Sequence, residues 1–364
     1  MDILTVVLFV VGLVLLVVGA EALVRGASRI AATLGISPLV IGLTIVAFGT
    51  SAPELAVSTS SALAGSADVA IGNVVGSNIF NVLFILGLSA AIAPLTVARQ
   101  ILRLDVPLMI AVSLLLVVIA LDGNIGLVDG AALTAGILTY TGWAIVSSRR
   151  ASKALVAEYA EEFGEQETTE RGIVVDVLLV AGGLGLLVLG SDWFVGGATE
   201  FAEALGVSQL VIGLTLVAAG TSMPELATSV VASIRGERDI AVGNVIGSNI
   251  FNILAVLGIA AIASGGDVPI ADSALRVDVP VMVGVAVICL PAFFTGRLIA
   301  RWEGIAFIGL YVAYVAYLYV SATGSADLVD GARVALGVTF AALAATFGTL
   351  ALREARGRSA TPQA

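Results

Sequence analysis

Two glutamates sit inside long apolar stretches in near-identical settings, GTSAPELAVS around Glu54 and GTSMPELATS around Glu225. A carboxylate in the middle of a membrane segment costs about 2.5–3.5 kcal/mol even on the mildest insertion scale. Thr50, Glu54 and Ser58 are four residues apart and share one helix face, and Thr221, Glu225 and Ser229 repeat the pattern. In GNVVGSNIFN and its copy GNVIGSNIFN, Asn73, Ser77 and Asn81 form a second polar stripe, mirrored by Asn244, Ser248 and Asn252. The metal-binding atoms on offer are oxygens, which suit hard cations such as Ca2+ and Na+ rather than soft or imidazole-preferring metals. Ca2+ takes about 6–8 oxygens; two glutamates supply up to four of them. Two carboxylates also neutralise one divalent ion, and they repel one another when nothing positive lies between them. The pair therefore calls for one Ca2+, several Na+ or protons at all times. An empty, doubly charged site is costly to carry through a membrane, so reorientation is favoured only with cations bound. That is the physical basis of exchange.

The backbone around the glutamates is built to break. Pro53 and Pro224 remove a donor just before each acid and clash with the preceding turn, and Gly49 and Gly220 loosen that turn. A broken helix at mid-depth is expected, with the carbonyls of Ala47, Thr50, Ala218 and Thr221 freed towards a cavity. Irregular backbone at that depth survives only against protein or a water-filled site. Gly72/Gly76 and Gly243/Gly247 are small-xxx-small pairs that predict close helix packing, and Phe80 and Phe251 read as core. The plainer account of Glu54 and Glu225 is a buried acid satisfied by a local hydrogen bond. Their duplication with flanking Thr-Ser favours the cation site. For Asn81, Asn252, Ser77 and Ser248 the plainer account is interhelical hydrogen bonding.

These residues belong to a duplication. Residues 34–87 reappear at 205–258 without a gap, and 34 of 54 aligned positions are identical. Of the 364 residues, 59% are hydrophobic and 12% charged, and apolar runs recur along the whole chain, which predicts an all-α polytopic membrane protein. Eleven spans are expected, over about 3–24, 38–63, 69–93, 104–121, 126–147, 173–196, 209–233, 240–263, 278–295, 302–321 and 331–352. Five spans per copy is odd, so consecutive copies enter the membrane from opposite sides, as two inverted repeats. The expected parts are a first five-helix repeat (1–147), a cytoplasmic linker (148–172), a second, inverted five-helix repeat (173–321), and an extra transmembrane helix with a cytoplasmic tail (322–364). With the N-terminus outside, 15 of the 17 basic residues fall in cytoplasmic segments and only Arg276 and Arg333 outside, a strong positive-inside bias. Weaker matches pair Glu21 with Asp192, RLDVP (103–107) with RVDVP (276–280), and Asp129-Gly130 with Glu303-Gly304. Asp105 and Asp278, beside prolines, read as helix starts. Glu21 and Asp192 read equally as helix-end anchors or charges lining the ion's path and as ligands.

Composition also excludes. A single cysteine, Cys289, rules out an internal disulfide, and the absence of histidine removes imidazole relays and ligands. The only lysine, Lys153, lies outside every span, so no nucleophile–base pair is expected in the membrane and the chain does not read as an enzyme. There is no GxxxxGK[ST] loop for ATP-driven pumping. The first apolar run has no basic residue before it and reads as a retained helix. No cofactor and no nucleic-acid partner is expected. The partners are the ions and the lipid bilayer, and a monomer suffices because the site is completed within one chain. A passive cation channel is the rival class; it needs a continuous pore, often from several subunits.

GTSAPEL with GNVVGSNIFN, repeated as GTSMPEL with GNVIGSNIFN, resembles the two alpha-repeats of the cation/calcium exchanger superfamily, most closely those of prokaryotic sodium/calcium exchangers. The likeness covers about residues 1–321, and the span over 331–352 is an addition. It implies two inverted five-helix repeats and antiport of Ca2+ against Na+ in a prokaryotic cell (inner) membrane, with proton-coupled Ca2+ antiport as the alternative. It implies that Glu54 and Glu225 are shared Ca2+ and Na+ ligands and that Thr50 and Thr221 add oxygens to Ca2+. Ser51, Ser222, Ser77 and Ser248, with the carbonyls of Ala47 and Ala218, would line flanking Na+ sites. Asn81 and Asn252 would sit centrally, and the first helix of each repeat would slide against the core. Several exchangers carry aspartate where this chain has Asn252, so the site here holds two formal charges and not three.

Overall fold

The computed structural model describes residues 3–163, 170–205, 218–271 and 274–360. Among the described residues, nine helices are long and apolar enough to cross a membrane, and a tenth crossing is a bent pair. In chain order they are α1 (Ile3–Leu34), the bent pair α2 (Pro38–Thr50) and α3 (Ala52–Leu63), α4 (Ala67–Ile92), α5 (Ile101–Asp122) and α6 (Leu127–Phe163). Then follow α7 (Glu170–Ala204), α8 (Ala218–Gly220), α9 (Met223–Arg235), α10 (Arg238–Ala263), α11 (Ala274–Phe294), α12 (Arg301–Thr323) and α13 (Ala326–Ala360). The span expected over 209–233 is seen from Ala218 onward; its earlier part lies outside the described residues. The expected linker is largely helix. α6 runs on to Phe163 and α7 starts at Glu170, because ASKALVAEYAEEF is rich in strong helix formers. Glu165 and Glu167 lie outside the described residues.

The most extensive helix contact joins α1 to α7. A Cβ added at Gly12 would lie 2.8 Å from the Gly190 carbonyl oxygen, one at Gly19 2.8 Å from that of Gly183, and one at Gly26 2.8 Å from that of Asp176. Rising numbers on one helix meet falling numbers on the other, so the two run antiparallel. The glycines recur every seven residues, about two turns, and so form one stripe. Without side chains on that stripe the backbones touch, which is how helices associate where lipid removes the hydrophobic driving force.

α4 and α10, which carry the GSNIFN motifs, are the most enclosed helices. Each contains a wide π-helical turn, at Asn81–Leu86 and Asn252–Leu257, of the kind that often marks a functional site. α3 packs on α4 and α9 on α10. On α10, a Cβ at Gly243 or Gly247 would meet the Leu39 or Leu43 carbonyl at 2.9 and 2.7 Å, so α2 packs there as expected. Around Gly72 and Gly76 on α4, nothing among the described residues lies within 4 Å. Residues 210–217, equivalent to the stretch of α2 from Leu39 to Val46, are not among them.

Two small strand pairs join the copies. β1 (Leu95–Thr96) pairs antiparallel with β4 (Leu298–Ile299), and β2 (Asn124–Ile125) with β3 (Val268–Pro269). Asp129 accepts the Gly126 N–H at 2.9 Å and Glu303 the Ala300 N–H at 2.7 Å. Both are acidic caps at helix starts, so the two acid-glycine pairs hold matching posts. α13 lies at the periphery, anchored where Phe347 packs on Trp302 and Phe307.

The glycine stripe makes a paired prediction. Gly183→Val drives a side chain into the Gly19 carbonyl, 2.7 Å from the Cβ position, whereas a Cβ at Gly185 meets nothing among the described residues. Gly183→Val is expected to destabilise the protein by about 1–3 kcal/mol, read as a lower Tm in detergent, and Gly185→Val to leave Tm unchanged.

Candidate functional site

The break expected near the glutamates falls on serine. α2 and α3 meet at Ser51 (φ −80°, ψ 9°) with a 46° bend, and Ser222 (φ −88°, ψ 10°) holds the same post before α9. Pro53 and Pro224 then sit in the first turn of the new helix, where a missing N–H costs nothing. The Ala47 carbonyl is not left wholly free. It accepts the Ser51 N–H at 3.0 Å, because the bend is tight enough to close that turn. Ala218, the first described residue of α8, lies one turn before Ser222.

Each bend grips the opposite copy. Ser51 Oγ donates to Glu225 Oε1 at 2.9 Å, and Ser222 Oγ donates to Glu54 Oε1 at 2.7 Å. Thr50 Oγ1 donates to Asn244 Oδ1 and Thr221 Oγ1 to Asn73 Oδ1, each at 3.1 Å. Asn73 and Asn244 use their amide N–H groups on Ser58 Oγ (2.9 Å) and Ser229 Oγ (3.0 Å). Ser77 Oγ pairs with Ser222 Oγ at 3.1 Å. Thr50, Glu54, Ser58, Asn73 and Ser77 of one copy and Thr221, Glu225, Ser229 and Asn244 of the other are thus linked across the copies through the bends at Ser51 and Ser222.

Glu54 and Glu225 are both fully buried, with no arginine or lysine pairing with either among the described residues. One oxygen of each is held by the opposite serine. The other, Oε2, has no hydrogen-bond partner in either residue, and the same is true of Asn81 Oδ1, Asn252 Oδ1 and Ser248 Oγ. Burying an ionised carboxylate oxygen unpaired is among the costliest arrangements a protein can adopt. Five unpaired oxygens belong to the two motifs: two amide oxygens, which only accept, two carboxyl oxygens, which only accept while ionised, and one hydroxyl. That set has the chemistry to hold a cation. Among the described residues no cluster of three or more acids, thiols or imidazoles exists, so two carboxylates and neutral oxygens are the whole donor set.

Every expected site residue with a described side chain falls in or beside this network. Two that the sequence reasoning missed are Asn78 and Asn249, which bridge the copies: Asn81 Nδ2 donates to Asn249 Oδ1 at 3.0 Å, and Asn252 Nδ2 to Asn78 Oδ1 at 3.1 Å. Their signal was present in the sequence, since both belong to the repeated GSNIFN. Asp105 and Asp278, expected as helix starts, lie inside α5 and α11, because a π-helical turn carries each helix back before them, and neither caps with its side chain. Asp105 is buried and accepts from Tyr140 Oη (3.0 Å) and Gln100 Nε2 (3.3 Å), and Asp278 accepts from Tyr314 Oη (2.8 Å). Glu21 pairs with Arg25 and with Arg235 at the end of α9.

Among the described residues, a cavity of about 420 Å³ is lined by Val57, Asn73, Gly76, Thr221, Asp278 and Tyr314 among others, on the face of α4 whose counterpart on α10 is covered by α2; residues 210–217, equivalent to that part of α2, lie outside the described residues. The equivalent Asn244, Thr228 and Ser229 are fully buried.

The profile described as sodium/calcium exchanger protein matches residues 4–146 and 175–320. The inner membrane protein YrbG of Escherichia coli is 37% identical over 319 residues, which are 87% of this chain and 97% of that protein. The sodium/calcium exchanger MaX1 of Methanosarcina acetivorans is 33% identical, across 80% of this chain and 92% of its own. A solved structure of the sodium-calcium exchanger NCX_Mj, soaked with zero Na+ and Ca2+, superposes with a TM-score of 0.75 at 32% identity, covering 87% of this chain and all of that one.

Proposed function

The chain belongs to the sodium/calcium exchanger protein family and is a multi-pass membrane protein, and we propose that it exchanges Ca2+ for Na+ by alternating access to a site at the membrane midplane. The observation that carries this is the pair of buried acids, Glu54 and Glu225, each tied by one oxygen to the opposite copy and left with the other unpaired. One Ca2+ bridging the two Oε2 atoms neutralises the pair. Asn81 Oδ1, Asn252 Oδ1, the Thr50 and Thr221 oxygens and main-chain carbonyls fill its remaining coordination. Ser51, Ser222, Ser77 and Ser248, with the carbonyls of Ala47 and Ala218, serve Na+. No cofactor takes part, and the protein acts as a transporter and not as an enzyme.

The antiparallel α1 and α7 support two oppositely oriented repeats, 1–147 and 173–321, joined by a cytoplasmic linker (148–172) and followed by an extra helix and tail (322–364). The positive-inside bias supports eleven spans with the N-terminus outside, in the cell membrane of a prokaryote. A site completed by one chain supports a monomer. Net charge explains the exchange rule. With two amides at the centre the site carries minus two, so Ca2+ or two or more Na+ make it neutral enough to reorient. Two protons would also do so, and proton-coupled Ca2+ antiport is therefore the second outcome of the test.

In proteoliposomes at clamped pH and voltage, an outward Na+ gradient should drive 45Ca2+ uptake. Uptake that follows an imposed pH gradient and ignores Na+ would make the proton the counter-ion; flux with no counter-ion dependence would make the protein a channel. Glu54→Gln and Glu225→Gln should each lower exchange by about a hundredfold or more, the scale of about 3–5 kcal/mol for losing one partner of a buried charge site. Lowering the pH should raise the KM for Ca2+ with little change in maximal rate, because protons compete for the same two carboxylates. A pH effect on maximal rate alone would contradict that competition.

A further inference from the structure

Asn78 and Asn249 touch neither glutamate, yet their hydrogen bonds fix what the central amides present. Both are nearly fully buried. Asn249 Nδ2 donates to the Asn78 main-chain oxygen at 3.3 Å, and Asn78 Nδ2 to the Asn249 main-chain oxygen at 3.2 Å. A main-chain carbonyl only accepts, so the nitrogen of each amide must be the atom facing it. The second N–H of each finds a thioether, Met109 Sδ for Asn249 and Met282 Sδ for Asn78, both at 3.6 Å. Each Oδ1 is thereby forced to face the central asparagine of the other copy, Asn81 at 3.0 Å and Asn252 at 3.1 Å. An acceptor facing Asn81 or Asn252 draws its NH2 group. Its Oδ1 is then turned away from the amide bridge, and this is the atom that has no partner in either residue.

We propose that Asn78 and Asn249 are positioning residues that lock Asn81 and Asn252 with an oxygen, never an NH2, turned to the ion. Amide orientation is ordinarily free to invert, since oxygen and nitrogen differ little in size. An inverted amide would point N–H groups at a cation. The relay removes that choice at two places, through a chain that starts at a group with no alternative polarity. Each relay also crosses between copies, so neither central amide is oriented by its own repeat alone. The proposal rests on the ion site described under the proposed function.

The test is equilibrium binding of 45Ca2+ to the purified, folded protein. Asn249→Leu keeps the side chain's approximate volume and removes both halves of the relay to Asn81. It should weaken Ca2+ binding about tenfold or more, the scale of one wrongly satisfied buried polar group. Asn81→Asp supplies a carboxylate, whose two oxygens have no wrong orientation. In that background Asn249→Leu should change the Kd by less than about threefold. A shift of equal size in both backgrounds, or none in the first, would overturn the proposal, because a merely structural asparagine would act on both alike. The mirrored pair, Asn78→Leu with and without Asn252→Asp, gives a second set with the same expectation should Asn249→Leu fail to fold. Glu54→Gln serves as the control for the site itself: if it binds Ca2+ like the unaltered protein, the ion site fails, and the relay is overturned with it.

Discussion

Two carboxylates share the interior of this protein with no basic side chain paired to either among the described residues, and each has one oxygen held by a hydrogen bond and one without a partner. In a solvent as poor as a bilayer that arrangement is tolerated only if a cation completes it for much of the protein's life. The neighbouring structure serves this pair. The bends at Ser51 and Ser222 bring a hydroxyl to the opposite acid, Asn73 and Asn244 hold the threonines that flank the bends, and two π-helical turns begin at the central amides. Removing one acid would leave the other a buried charge with half a site.

Reciprocity is what makes so demanding a site possible. The bonds that the serines of the bends make to the glutamates, the threonines to Asn73 and Asn244, and the central amides to Asn78 and Asn249 are each returned at the equivalent position, so one geometric solution is used twice. α1 and α7 pack antiparallel, and the strand pairs β1–β4 and β2–β3 join the copies.

Much of this is legible in the sequence because its causes are local. A Gly-Thr-Ser-x-Pro-Glu run breaks a helix and follows the break with an acid, and the spacing of four fixes which side chains share a face. The duplication announces that whatever occurs at Glu54 recurs at Glu225. What the sequence hides is set by partners distant in the chain. Asn78 and Asn249 look like any motif asparagine until the opposite carbonyl is seen to fix their polarity. The polar linker reads as a break between repeats, yet local helix propensity carries α6 to Phe163. The Ala47 carbonyl, expected to be free, is claimed by the N–H of Ser51 because the bend is tight.

The most direct measurement is a crystal structure with Ca2+, with the ion located by its anomalous scattering. The account predicts one strong peak between Glu54 Oε2 and Glu225 Oε2, about 2.3–2.6 Å from each, enclosed by the oxygens of Asn81 and Asn252. A peak touching only one of the two glutamates, or none within the enclosure between α4 and α10, would contradict it.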